Sequence, residues 1–113
     1  MDSLGIDIAR TKFDVALLIG ERARHNTFSN TEAGFEQFLV WLARHRLNPD
    51  APMHACMEAT GNWGLDLAAF LHSRQIQVSI VNLGRTFWFD PARIEAYGAG
   101  PFSSNYWVPR ASS

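Results

Sequence analysis

Two runs of alternating apolar and polar residues open the chain. Leu4, Ile6 and Ile8 alternate with Gly5, Asp7 and Ala9, then Phe13, Val15, Leu17 and Ile19 alternate with Asp14, Ala16 and Leu18. This is the period-2 spacing of strands with one face on a core. Ala9-Arg10-Thr11-Lys12 joins them tightly, and a third run from about residue 22 to 28 follows Gly20-Glu21, so residues 3–28 read as an antiparallel meander. The period then changes. Ser29 with Glu32 three residues later fits a capping box, and Phe35, Phe38, Leu39, Trp41 and Leu42 recur at helical spacing to about Arg46. Asn48-Pro49-Asp50-Ala51-Pro52 ends that helix. Met53 to Glu58 predicts a fourth strand, and Thr60-Gly61-Asn62 starts a second helix over about 61–74 with Trp63, Leu67, Ala68 and Leu71 as its buried stripe. Ile76, Val78 and Ile80 predict a fifth strand.

A meander followed by two helix crossovers makes an α/β fold: a mixed five-stranded sheet with helices on its faces. The handedness of crossovers and the adjacency of parallel strands favour the order 3-2-1-4-5, a ribonuclease H-like arrangement. Residues 83–113 hold half of the chain's aromatics, yet only Ala92 to Tyr97 reads as helical, and Pro101, Pro109 and the closing Ala-Ser-Ser argue against further regular structure.

Composition narrows the class. At 113 residues with 47% hydrophobic and 19% charged, the chain is one domain's worth of protein and neither disordered nor collagenous. No apolar run approaches the roughly 20 residues of a membrane span, and the start lacks a basic secretory signal, so a cytoplasmic protein with no membrane partner is expected. The lone Cys56 reads as a small buried hydrophobe. A net charge of −1 supplies no global positive field for nucleic acid, although nine of the ten basic residues are arginine.

Two carboxylates invite a chemical reading. Asp7 lies between Ile6 and Ile8, where burial would demand a partner, and Glu58 ends the fourth strand at the lip where parallel strands present ligand-binding groups. If the first and fourth strands are neighbours, the two acids converge into a hard-oxygen site suited to Mg²⁺. Hydrogen bonding to the 10–12 turn by Asp7, and capping of the following helix by Glu58, are the structural alternatives. Arg10 and Lys12 are the best candidates for touching a phosphate backbone, against a solvated turn. Asp14 reads as an exposed or turn-facing acid rather than a ligand. His25, His45, His54 and His72 make no metal spacing, and Trp41 and Trp63 fit helix–sheet packing better than base stacking.

Gly5-Ile6-Asp7-Ile8-Ala9-Arg10-Thr11-Lys12-Phe13-Asp14-Val15-Ala16, Phe28-Ser29-Asn30-Thr31 with Gly34-Phe35, Ala55-Cys56-Met57-Glu58-Ala59-Thr60-Gly61 and Val78-Ser79-Ile80-Val81-Asn82 together resemble the DEDD transposases of bacterial insertion sequences. The resemblance covers residues 4–82. It implies a RuvC-like N-terminal domain, DNA transposition and recombination by Mg²⁺-dependent phosphodiester cleavage and strand transfer, and catalytic metal-binding roles for Asp7 and Glu58. It also implies DNA as partner, and a guide RNA, full-length transposase and oligomer as further candidates.

Elsewhere the chain departs from the family. Residues 3–82 are expected to be a partial family domain and 83–113 a divergent tail, with 83–90 inserted before Pro91-Ala92-Arg93-Ile94. The family's third and fourth acids follow in a Lys-Thr-Asp-x-x-Asp segment, and 101–113 contains no acidic residue. The expectation is a truncated member with little activity alone. Two alternatives remain at this point: a non-catalytic chain that co-assembles with intact transposase, and a sugar-kinase or actin-like ATP-binding lobe, against which the missing glycine after Asp7-Ile8 argues.

Overall fold

A computed structural model describes residues 2–46, 50–58, 63–82, 85–89 and 107–109. Its strands are β1 (Asp2–Ile8), β2 (Lys12–Ile19), β3 (Arg22–Ser29), β4 (Met53–Glu58), β5 (Gln77–Asn82), β6 (Arg85–Phe89) and β7 (Trp107–Pro109), with helices α1 (Glu32–His45) and α2 (Leu65–Ser73). They form one mixed sheet in the order β3-β2-β1-β4-β5-β6-β7. The expected five-strand order is its first five members, with β1 antiparallel to β2 and parallel to β4, and β4 parallel to β5.

Alternation decides which side of β1, β2 and β4 is buried, whereas β3 buries only Phe28. Leu4, Ile6 and Ile8, Phe13, Val15 and Leu17, Met53, Ala55 and Met57, and Val78 and Ile80 join Phe35, Phe38 and Leu42 of α1 and Leu67, Ala68 and Leu71 of α2 in one core. Both helices therefore cover the same face. Phe13 is fully buried amid Phe28, Phe35 and Phe38, with ring centroids 5.5 to 5.9 Å away. Trp41 packs on Phe28 and Phe38, as a helix–sheet packing residue should.

Several local expectations are corrected. The N-cap of α1 is Thr31, not Ser29: its hydroxyl accepts from the Gly34 amide at 3.1 Å, while Ser29 Oγ and Thr31 Oγ1 lie 2.9 Å apart. Gly34 is required there by contact, since a Cβ would sit 1.8 Å from the Ser29 carbonyl oxygen. Helix α2 begins at Leu65 rather than near 61, capped by Gly64, which packs on Met57 and Ile8. Trp63 therefore precedes the helix and is 47% exposed instead of lying on its buried stripe. The α2 end is closed by Gln75 in the left-handed region (φ 64°), with the Ile76 amide donating to the Leu71 carbonyl.

The sheet also runs beyond its expected edge. Residues 85–89, expected within an insertion, pair antiparallel with β5, and 107–109, expected to be irregular, pair with β6. These segments, Arg-Thr-Phe-Trp-Phe and Trp-Val-Pro, are rich in strand-favouring aromatic and β-branched residues, but they lack the clean alternation of apolar and polar positions that marks a half-buried strand. The helix expected over Ala92 to Tyr97 lies outside the described residues. Among the described residues, no helix is long and apolar enough to cross a membrane.

Candidate functional site

The face opposite the helices carries the acids. Because side chains alternate, burial of Ile6 and Ile8 turns Asp7 outward, and burial of Met57 turns Glu58 outward. Asp7 is thus exposed, and the burial cost expected of an acid between Ile6 and Ile8 does not arise. Asp7 and Glu58 are direct partners in the parallel β1–β4 ladder. Neighbouring strands run about 4.8 Å apart, so the two carboxylates share one lip.

Register adds a third acid that sequence reasoning set aside as a ligand. Asp14 pairs with Asp7 across the β1–β2 hairpin, and Thr27 pairs with Asp14 across β2–β3. The row across the sheet is therefore Thr27, Asp14, Asp7, Glu58. The Thr27 hydroxyl donates to Asp14 Oδ1 at 2.5 Å, which engages one oxygen of that carboxylate, whereas Asp7 and Glu58 are exposed and form no ion pair with a described residue. The signal was available: a turn centred between Arg10 and Thr11 sets 7 opposite 14. Like charges directly opposite destabilise a sheet pair, and neither Arg10 nor Lys12 forms an ion pair with a described residue. A cation would relieve that repulsion.

Asp14, Asp7 and Glu58 line a groove of about 490 Å³ on this face, together with Gly5, Ala16, Cys56 and His25. A Cβ at Gly5 would meet nothing within 4 Å, so the groove is open there. Cys56 is half-buried on this groove rather than in the core. His54 is half-buried beside it and bonds Ser79 through Nε2 and Oγ at 2.8 Å, with Trp88 against its ring. No group of three or more His, Cys, Asp or Glu among the described residues is arranged to hold a metal. The donors on offer are the adjacent exposed carboxylates of Asp7 and Glu58, with Asp14 beside Asp7 and bonded through one oxygen to Thr27, a set that fits a hydrated Mg²⁺ completing its shell with water and phosphate oxygens.

One side chain ties the surroundings of this lip together. The Asn30 carboxamide nitrogen donates to the Trp63 carbonyl at 2.9 Å and the Ala9 carbonyl at 3.1 Å, with the Arg10 carbonyl at 3.5 Å. Its own amide donates to the Thr11 carbonyl at 2.9 Å. Asn30 thus fastens the turn after β1 to the segment that enters α2. Arg10 projects from that turn with its guanidinium carbon 5.9 Å from the Trp63 ring centroid, and Lys12 is exposed at the start of β2.

Comparison with known proteins bears on this arrangement. The sequence model of the DEDD transposase family, described as a transposase, matches residues 4–86. The pilin gene-inverting proteins of Moraxella bovis and Moraxella lacunata are each 35% identical over 79 residues, covering 70% of this chain and 24% of theirs. The chain spans about a quarter of the length of these curated relatives. Among solved structures, YeaZ from Pseudomonas aeruginosa superposes with a TM-score of 0.50 at 11% identity, covering 99% of this chain and 67% of that one. At that identity the likeness shows the shared ribonuclease H-like fold alone.

Proposed function

Since this chain belongs to the DEDD transposase family, we propose that it forms the carboxylate-bearing part of an enzyme that cuts and rejoins DNA, with Asp7 and Glu58 as the ligands of Mg²⁺. The observation that carries this reading is the direct ladder pairing of these two exposed acids. When bound, the ion supplies charge stabilisation for phosphodiester cleavage and strand transfer. The chain's own residues have simpler tasks. Asp7 and Glu58 present oxygens on a rigid sheet lip, Asp14 is bonded through one oxygen to Thr27 beside them, and Arg10 and Lys12 attract the phosphate backbone at the edge of the acidic row. The gene-inverting relatives support recombination of DNA segments as the process. A guide RNA, or a full-length copy of the transposase, belongs to the same proposal as a further partner.

Asp7 and Glu58 balance the charge of one shared ion, but the second ion of a two-metal cleavage site would bring two more positive charges that they do not offset. Phosphates and water must supply the rest, so weak occupancy and little strand transfer are expected of the chain alone. The test is binding of a fluorescently labelled DNA duplex by anisotropy, with Mg²⁺ exchanged for Na⁺ at equal ionic strength. Mg²⁺ should raise the affinity of the unaltered chain and lower that of Asp7→Asn and Glu58→Gln, in which only its competition for phosphates remains. An identical Mg²⁺ response in all three would overturn the assignment.

A further inference from the structure

The proposed metal site leaves Trp63 unexplained. A tryptophan carries the largest apolar surface of any side chain and is normally well covered, yet this one is 47% exposed. It is also not loose. Its carbonyl is held by Asn30, which simultaneously holds the turn that follows Asp7. A Cβ added at the adjoining Gly64 would come within 3.3 Å of Met57 and 3.5 Å of Ile8, so the main chain here runs close over the core-facing neighbours of Glu58 and Asp7. The Trp63 main chain is thus fastened to the turn that follows Asp7. Arg10 reaches over it, placing a guanidinium next to an aromatic face, with Lys12 exposed at the end of the same turn.

We propose that Trp63 and Arg10 form a platform for an unpaired nucleotide of DNA, the base stacking on the indole and its phosphate lying against the guanidinium. A planar apolar surface combined with cations takes a base and a phosphate together, which neither group does alone. A base stacked within a duplex offers its face to its neighbours and cannot use the indole, so the platform selects unpaired positions. This inference rests on the reading that the chain handles DNA, and it gives Trp63 a role distinct from metal binding.

The test compares two labelled DNAs of equal length, one fully paired and one with an unpaired stretch, bound in the presence of a chelator so that the metal site plays no part. The unaltered chain should prefer the unpaired substrate. Trp63→Leu should weaken binding to it roughly 10-fold and leave duplex binding unchanged, while Trp63→Phe, which keeps a stacking face, should retain most of the preference. Arg10→Ala should weaken both substrates and flatten the salt dependence. Urea unfolding of each variant shows whether it is folded, and the aromatic variant keeps the test decisive if Trp63→Leu is not. Equal losses on both DNAs, or equal behaviour of the Leu and Phe variants, would overturn the platform. Failure of the Mg²⁺ response described above would leave this result standing, because no metal is present here.

Discussion

Removing the Asn30 side chain probes the fastening that fixes the lip of the sheet. Its carboxamide makes two hydrogen bonds of good length, to the carbonyls of Trp63 at 2.9 Å and Ala9 at 3.1 Å, and a third contact at the limit of one. Each bond contributes about 1 kcal/mol net, and the half-exposed carbonyls left behind are rehydrated, so Asn30→Ala should cost about 1–2 kcal/mol. Unfolding entropy of roughly 2.1 cal/mol/K per residue over 113 residues converts this to a fall in Tm of about 4–8 °C. Asn30→Asp distinguishes a donor from a filler of space. It preserves volume but turns an oxygen toward two carbonyl oxygens, so it should be less stable than Asn30→Ala despite the smaller change in shape. Urea denaturation with an unchanged m-value measures the difference. An Asn30→Asp variant as stable as the unaltered chain would refute the clamp.

Other positions give equally definite expectations. Gly34→Ala brings a Cβ to 1.8 Å from the Ser29 carbonyl oxygen, so the β3–α1 junction must shift, at a cost of about 2 kcal/mol or more by thermal unfolding. Phe13→Ala removes a fully buried ring in contact with three others and should cost about 3–5 kcal/mol, read as a lower urea midpoint. Gln75→Gly relieves a left-handed backbone at the end of α2 and should raise stability by about 0.5–1 kcal/mol.

Strands β1, β2, β4 and β5 and both helices were legible because hydrophobic period reports which side faces the core, whereas β3 buries only Phe28 and was legible from the turn at Gly20-Glu21 that precedes it. Even the facing of Asp7 and Glu58 followed from topology, once β1 and β4 were set side by side. Contact information was harder to read. Asn30, Thr31 and Gly34 stood out as a motif, but nothing in their order shows that one clamps two carbonyls, the next caps α1 and the third makes room for Ser29. Helical spacing from Leu67 continues backward to Trp63, past the true helix start at Leu65, so Trp63 lies off the buried stripe. Strands β6 and β7 add to the sheet edge through main-chain pairing, which leaves little trace in the alternation of side-chain types.

Shared binding of one divalent ion by Asp7 and Glu58 is tested most directly with Mn²⁺ as a paramagnetic stand-in for Mg²⁺, followed by the broadening of backbone amide resonances. The ladder pairing of the two acids predicts simultaneous loss of the amides flanking both residues, while those at the opposite ends of β1 and β4 persist. Asp7→Asn should weaken the effect around Glu58 as much as around position 7, because each acid alone holds the ion poorly. Broadening confined to one of the two strands, or left unchanged around Glu58 by Asp7→Asn, would contradict a shared site.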